Sequence, residues 1–327
     1  MPVYNGASYL RQAMASLRWQ TFSDWEFLCV NDGSTDRSLA ILQAFAQADA
    51  RIRILNQDNR GIVEALNRGI LAAKADWIAR MDCDDVARPD RLATQFQFVQ
   101  ENPNCLVVGS HVLMTDPDGD PLKEQRYPSE HDEIEKLLLN RNAGSIAHPT
   151  VLMRRDAVIA AGLYRQRFQW VEDADLWLRL ARRGQLANIA RVLLHYRLHE
   201  QSVCRQRGGQ QRERMRQLLQ EAHAERGIAM PPTASLANDD RKKPSSILGK
   251  WARQAARAGY YRTALKHWRS QLAVEPVSLL TFRVTAEMFA RGAVSLLARR
   301  HPVSAALPDW RVWDASRQVP DRRRPAA

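Results

Sequence analysis

Residues 75–85 read Ala75-Asp76-Trp77-Ile78-Ala79-Arg80-Met81-Asp82-Cys83-Asp84-Asp85. A short apolar run closes on a cluster of carboxylates, which places the acids at the end of a strand, where it leaves its sheet. Carboxylates this close repel one another. A hard divalent cation, which takes oxygen ligands and leaves room for phosphate oxygens, is the usual reason to keep them together. The competing reading is a solvated acidic turn, with Asp84 or Asp85 capping the next helix.

The surrounding sequence alternates two periodicities. Helical spacing is read over 7–20, 36–48, 61–74 and 89–101, and strands over 25–30, 51–55, 76–81 and 105–114. This βαβα order argues for a parallel sheet with helices on both faces. In such sheets ligands bind at the carboxyl ends of strands. Both Asn31-Asp32-Gly33-Ser34 and the 82–85 cluster fall at strand ends. Further on, 116–127 reads as a hairpin or loop, 130–139 as a helix, 150–153 as a strand and 156–161 as a helix. The segment 172–183 is a helix with acids in its first turn, and 186–196 is a strand. Beyond residue 200 the pattern is helical, with 247–273 and 277–298 as a pair of helices.

Charge divides the chain. Through residue 200 there are 24 Lys and Arg against 26 Asp and Glu, whereas beyond it there are 24 against 10. The net charge of +12 thus belongs to the C-terminal third. Such an extension suggests an anionic partner, either membrane surface or nucleic acid; a solvated arginine-rich face is the plainer reading. No window reaches the roughly 18 apolar residues of a membrane span. The four cysteines lie far apart without metal-ligand spacing, so we read them as reduced thiols and the protein as cytoplasmic.

Four motifs in order, Met1-Pro2-Val3-Tyr4-Asn5-Gly6, Val30-Asn31-Asp32-Gly33-Ser34-Thr35-Asp36, Met81-Asp82-Cys83-Asp84-Asp85 and Glu172-Asp173-Ala174-Asp175-Leu176-Trp177, give the chain a resemblance to family 2 glycosyltransferases over about residues 1–205. The resemblance implies a GT-A-type, Rossmann-like α/β mixed sheet flanked by helices. It implies an inverting, metal-dependent transfer of sugar from a nucleotide-sugar donor, UDP-sugar favoured, to a hydroxyl on a glycan or lipid-linked acceptor. The setting implied is cell-surface polysaccharide or lipopolysaccharide synthesis at the inner membrane face. After this domain we expect a basic helical region over 206–307, a linker near 231–246 and a disordered tail over 308–327.

Roles follow from the same resemblance. Val3 and Tyr4 are expected against the base, and Asp32 accepts a hydrogen bond from base or ribose. Asn59 or Arg68 helps hold the base. Asp82 reaches the ribose, Asp84 binds Mn²⁺ or Mg²⁺, and Asp85 is a further possible ligand. Asp173 is the general base and Glu172 orients the site. His148 lies near the acceptor, and Arg197 and His199 touch phosphate or metal. Asp175 is read as helix N-terminal charge.

Two features depart from the family. Only the last residues of the usual first, central strand precede Asn5, so we expect a truncated strand, and an added apolar strand of about eight residues is predicted to raise stability. No Gln-x-x-Arg-Trp follows residue 177, which argues for one sugar added per event. A sugar-nucleotide pyrophosphorylase would need a Gly-rich basic loop that the N-terminal region lacks. The non-enzyme alternative is an inactive transferase-like domain carrying a basic membrane- or nucleic-acid-binding extension. No nucleic acid partner is expected, for want of a recognition motif or an aromatic platform in register with the arginines.

Overall fold

The computed structural model of the protein describes residues 1–140, 143–199, 208–230, 247–274 and 285–286. The expected helices at 277–298 and the expected linker and tail lie outside these, apart from residues 285–286. The N-terminal half runs β1 (Pro2–Val3), α1 (Ala7–Arg18), β2 (Phe27–Asp32), α2 (Ser38–Ala48), β3 (Ile52–Gln57), α3 (Ile62–Ala72), β4 (Trp77–Ala79), β5 (Val86–Ala87), α4 (Arg91–Glu101) and β6 (Cys105–Thr115). There follow β7 (Pro121–Gln125), α5 (His131–Leu139), β8 (Leu152–Arg154), α6 (Arg155–Ala160), α7 (Glu172–Ala181), β9 (Gln185–Arg197), α8 (Gly208–Arg226), α9 (Ile247–Arg257) and α10 (Tyr261–Val274).

The strands form a mixed arrangement. β1, β2 and β3 pair in parallel in that order, and β4-β8-β6-β9-β5 form a second sheet with β7 on β6. The mixed sheet that the family resemblance implies is found: β4–β8, β6–β8, β5–β9 and β6–β7 are antiparallel, so the parallel pairing read from the βαβα order holds for β1–β2–β3 and for β6–β9. β7 follows β6 through a short turn with no helix between them, which makes that pair antiparallel. The spine is the long parallel ladder of β6 and β9, from Cys105 opposite Gln185 to Thr115 opposite Arg197. Between the two sheets lies a cavity of about 800 Å³, walled by Phe27 and Leu28 of β2, Leu66 and Ile70 of α3, and Trp77 and Ile78 of β4.

Helices reach the sheet through apolar faces. Val63, Leu66 and Ile70 of α3 recur at helical spacing and are buried. They join a core with Val107 of β6, Ile134 and Leu138 of α5, and Leu176, Trp177 and Leu180 of α7. Polar α8 belongs to the same core: Leu218 and Ala222 are buried in it. The C-terminal region thus packs into the α/β body from its first helix. The single helix expected over 247–273 is two helices. Gly259, in the left-handed region at φ 83°, ends the first and turns the chain back. Among the described residues no helix is long and apolar enough to cross a membrane.

Candidate active site

Two turns meet at the carboxyl ends of β1 and β2. Asn5 sits in the left-handed region at φ 50°, and its side-chain oxygen accepts the Thr35 N–H at 2.8 Å. The Ser34 hydroxyl accepts the Asn5 N–H in return. Tyr4 is half-exposed here, with its ring open to solvent. Val3 is fully buried beside Leu10 and Met14, so it is a core residue and not a surface for a base.

Asp32 ends β2 and is almost fully buried. One of its oxygens accepts from Gln57 Nε2 at 2.6 Å and from the Arg60 N–H, and the other from the Gly61 N–H. It fastens the β3–α3 loop under the exposed Asn59, with capacity for one further donor at Oδ2. Arg68 reaches from α3 to the Asn56 carbonyl at 2.7 Å and so braces the end of β3. Gly33 lets this loop come close. Its φ is +69°, and a Cβ there would lie 2.7 Å from the Asn59 backbone nitrogen. Gly33→Ala is expected to cost about 1–2 kcal/mol from the backbone conformation alone, read as a lower midpoint in denaturant unfolding.

At the end of β4 the chain turns through Asp82, Asp84 and Asp85. Each offers one oxygen, and these lie within 4.8 Å of one another. Their charge is countered from below. Arg80 is buried and binds Asp82 at 2.5 Å. Arg91, fully buried on α4, donates to the Arg80 carbonyl, and burial pulls its pKa down to about 9. Asp85 is buried and accepts the Arg197 N–H at Oδ1, while its Oδ2 has no partner among the described residues. Burial, then the charges of Asp84 and Asp82, raise its pKa well above the carboxylate range. An orphaned buried carboxylate oxygen beside two more carboxylates is a donor set that fits a hard cation. His199 Nε2 lies 2.8 Å from Asp84 Oδ2, which brings the two residues together at the acidic turn.

Arg197 differs from expectation. Its Nε donates to the Asp84 carbonyl, and its two terminal nitrogens donate to the Pro117 carbonyl and to Gln12. Its guanidinium also lies over the Tyr9 ring. Buried and held on these sides, it braces the acidic turn and is not extended toward a diphosphate.

The second acidic group opens α7. Burial raises the Glu172 carboxyl to about 7, with the charge of Asp173 adding to the effect. Burial likewise raises Asp173 to about 6, opposed by the Ala174 N–H that it accepts at 2.8 Å. Arg80 and Asp82 also act on Asp173. Asp175 does more than charge a helix end: fully buried, it is held by Arg165 and by Arg179 at 2.7 Å, which fixes the first turn of α7. His148 is corrected from an acceptor-side residue to a core one. It is buried, hydrogen-bonded to the Tyr164 hydroxyl at 2.8 Å and edge-on to Trp177. Burial and the Arg80 charge push its pKa far down, so its ring is neutral.

Sequence reasoning passed over Arg80 and Arg91. The available signal was a charged residue, Arg80, within a run otherwise apolar enough to be buried; such a residue is almost always paired.

The model of glycosyl transferase family 2 matches residues 1–161. The chain is 32% identical over 207 residues to the O-antigen biosynthesis glycosyltransferase WbnJ of Escherichia coli, covering 62% of this chain and 80% of that protein. It is 31% identical to the amylovoran biosynthesis glycosyltransferase AmsE of Erwinia amylovora, covering 61% and 74%. Among solved structures, TarS 1–349 of S. aureus in complex with UDP-GlcNAc superposes with a TM-score of 0.55 at 14% identity, over 89% of this chain and 87% of that one. The mannosyltransferase PcManGT of Pyrobaculum calidifontis, in complex with GDP-Man and Mn²⁺, gives 0.51 at 16% identity, over 95% and 81%. Identities this low establish a shared fold.

Proposed function

Because the chain belongs to glycosyl transferase family 2, we propose that it transfers a sugar from a nucleotide-sugar donor, with inversion, to a hydroxyl of a glycan or lipid-linked acceptor in surface polysaccharide synthesis. The observation that carries this reading is Arg80. One buried guanidinium binds Asp82 at 2.5 Å, and its charge also favours the ionised forms of Glu172 and Asp173, which links the two acidic groups.

In this reading Tyr4 and the Asp32–Asn59 turns receive the nucleoside, with UDP favoured, and Asp82 faces the ribose. Asp84, with Asp82, Asp85 and His199 around it, would hold Mn²⁺ or Mg²⁺. When bound, the cation neutralises charge on the departing nucleoside diphosphate. Asp173 takes the acceptor hydroxyl proton as that oxygen forms its bond to the anomeric carbon and the carbon–diphosphate bond breaks on the opposite face. A carboxyl raised to about 6 is ionised at neutral pH, yet basic enough to accept a proton in the transition state. Glu172, buried next to it in sequence and more easily protonated, orients the site. A screen of UDP- and GDP-sugars, reading released nucleoside diphosphate with and without Mn²⁺ or Mg²⁺, should give cation-dependent release with one donor class. Absence of release with every donor and cation would count against the proposal.

The basic helices extend the reading to a membrane. α9 and α10 contain Lys250, Arg253, Arg257, Arg262, Lys266 and Arg269 and no acid. A basic surface gains about 1 kcal/mol per Lys or Arg near an anionic bilayer. We expect salt-sensitive binding to anionic liposomes, weakened roughly 30-fold when the exposed Lys250 and Arg262 are both changed to Gln. Equal binding to neutral liposomes would sink the idea.

A further inference from the structure

The turn between β6 and β7 reads Asp116-Pro117-Asp118-Gly119-Asp120. Its three carboxylates converge closely enough to hold a cation. The cation present is a side chain: Lys266 Nζ of α10 lies 2.6 Å from Asp116, 2.6 Å from Asp118 and 2.8 Å from Asp120. Asp116 is fully buried. Its Oδ2 also receives His267 Nε2 at 2.8 Å, and its Oδ1 accepts the Asp118 and Asp120 N–H groups. Three acids in one turn would otherwise repel, so its conformation depends on the ammonium. Beneath it Leu122 is buried against Trp251, Ala255 and Ala264, so α9 and α10 are seated on β7 as well as tied to it.

The same turn faces the acidic site. Pro117, between the clamped acids, gives its carbonyl to Arg197 at 2.7 Å. Arg197 in turn donates to the Asp84 carbonyl and, through its own N–H, to Asp85. The next residue, Leu198, donates its N–H to the Thr115 carbonyl, one step before the turn. The path from α10 to Asp84 is therefore Lys266, Asp116–Asp120, Pro117, Arg197, with a hydrogen bond or ion pair at every step between elements.

We propose that Lys266 is a positioning residue for the Asp84–Asp85 site: it fixes the β6–β7 turn so that Pro117 anchors Arg197, and Arg197 holds the acids in place. The C-terminal helical hairpin is then part of the donor site's support. This rests on the metal reading above only where cation affinity is measured.

The experiment uses the full chain with Lys266→Met, Lys266→Arg and the milder Asp118→Asn. Amide hydrogen exchange in the absence of added metal reads Arg197 and Leu198. Mn²⁺ titration followed by the resonance of the unbound ion reads affinity. Lys266→Met should speed exchange at both amides and weaken Mn²⁺ binding about tenfold, the low end for residues supporting a metal site from outside. Lys266→Arg should restore both to near wild type. Faster exchange confined to 116–120 and α10, with residues 197–198 and Mn²⁺ affinity unchanged, overturns the proposal. If Lys266→Met does not fold, Asp118→Asn decides in the same way. If the wild type binds no Mn²⁺, the metal reading falls, while the exchange result still decides the role of Lys266.

Discussion

Asp84→Ala is expected to lower donor turnover about 10³-fold, and added Mn²⁺ should not restore it. The wild type should lose activity in chelator and regain it with Mn²⁺ or Mg²⁺. The physical reason is the number of anions brought together. Asp82, Asp84 and Asp85 converge, Asp85 Oδ2 has no hydrogen-bond partner among the described residues, and a diphosphate would add further negative charge. The protein's own cations do not complete this balance from above, because Arg80, Arg91 and Arg197 are buried around the turn. Steady-state rates of nucleoside diphosphate release across a Mn²⁺ series check the expectation. Undiminished activity in chelator would remove the cation from the mechanism.

Asp173→Asn is expected to reduce turnover by about 10²-fold or more, with nucleotide affinity near that of the wild type. The amide keeps the shape and the acceptor oxygen but cannot take the acceptor's proton. The wild-type rate should also follow the carboxyl's ionisation. Its pKa is raised to about 6, so turnover falls as pH drops through that value, by about tenfold per unit below it, and levels off above. The asparagine variant should lose this limb of the profile. Both Glu172 and Asp173 bind protons more tightly in the folded chain than in the unfolded one. Their contribution to stability therefore declines as pH rises from about 4 toward 7, opposite to the usual salt-bridged carboxylate. A variant with normal turnover and an unchanged acid limb would exclude Asp173 as the base.

Much of the site was legible because its chemistry is local in sequence. The acids at 82–85 and 172–173 stand out as neighbours, and the apolar runs before them set the strand ends. What was not legible depends on partners far along the chain. The sequence does not show that Asp32 also fastens a loop through Gln57, Arg60 and Gly61. Val3 and His148 sit beside the right motifs, but alternation and packing turn them inward. Arg197 carries the charge of a phosphate ligand, yet Asp84, Pro117 and Gln12 take up its donors. The break at Gly259 was present in the sequence. It was passed over because helical spacing on both sides allowed one continuous reading. α8 hid its core face in a run of arginines and glutamines, where Leu218 and Ala222 are the few apolar residues that matter.

The β6–β9 ladder sets the order in which the molecule can be made. Thr115 pairs with Arg197, and the contacts that secure the acidic turn join Asp84 to His199 and Gln12 to Arg197. Closing such distant pairs costs chain entropy before the contacts repay it, which slows folding. During synthesis at roughly 5–20 residues per second, a chain that has reached α7 has waited many seconds with one edge of β6 uncovered. That edge is a template for other strands until β9 emerges. Yield from an expressing cell should therefore depend on temperature and on chaperone capacity more steeply than the stability of the finished protein would suggest.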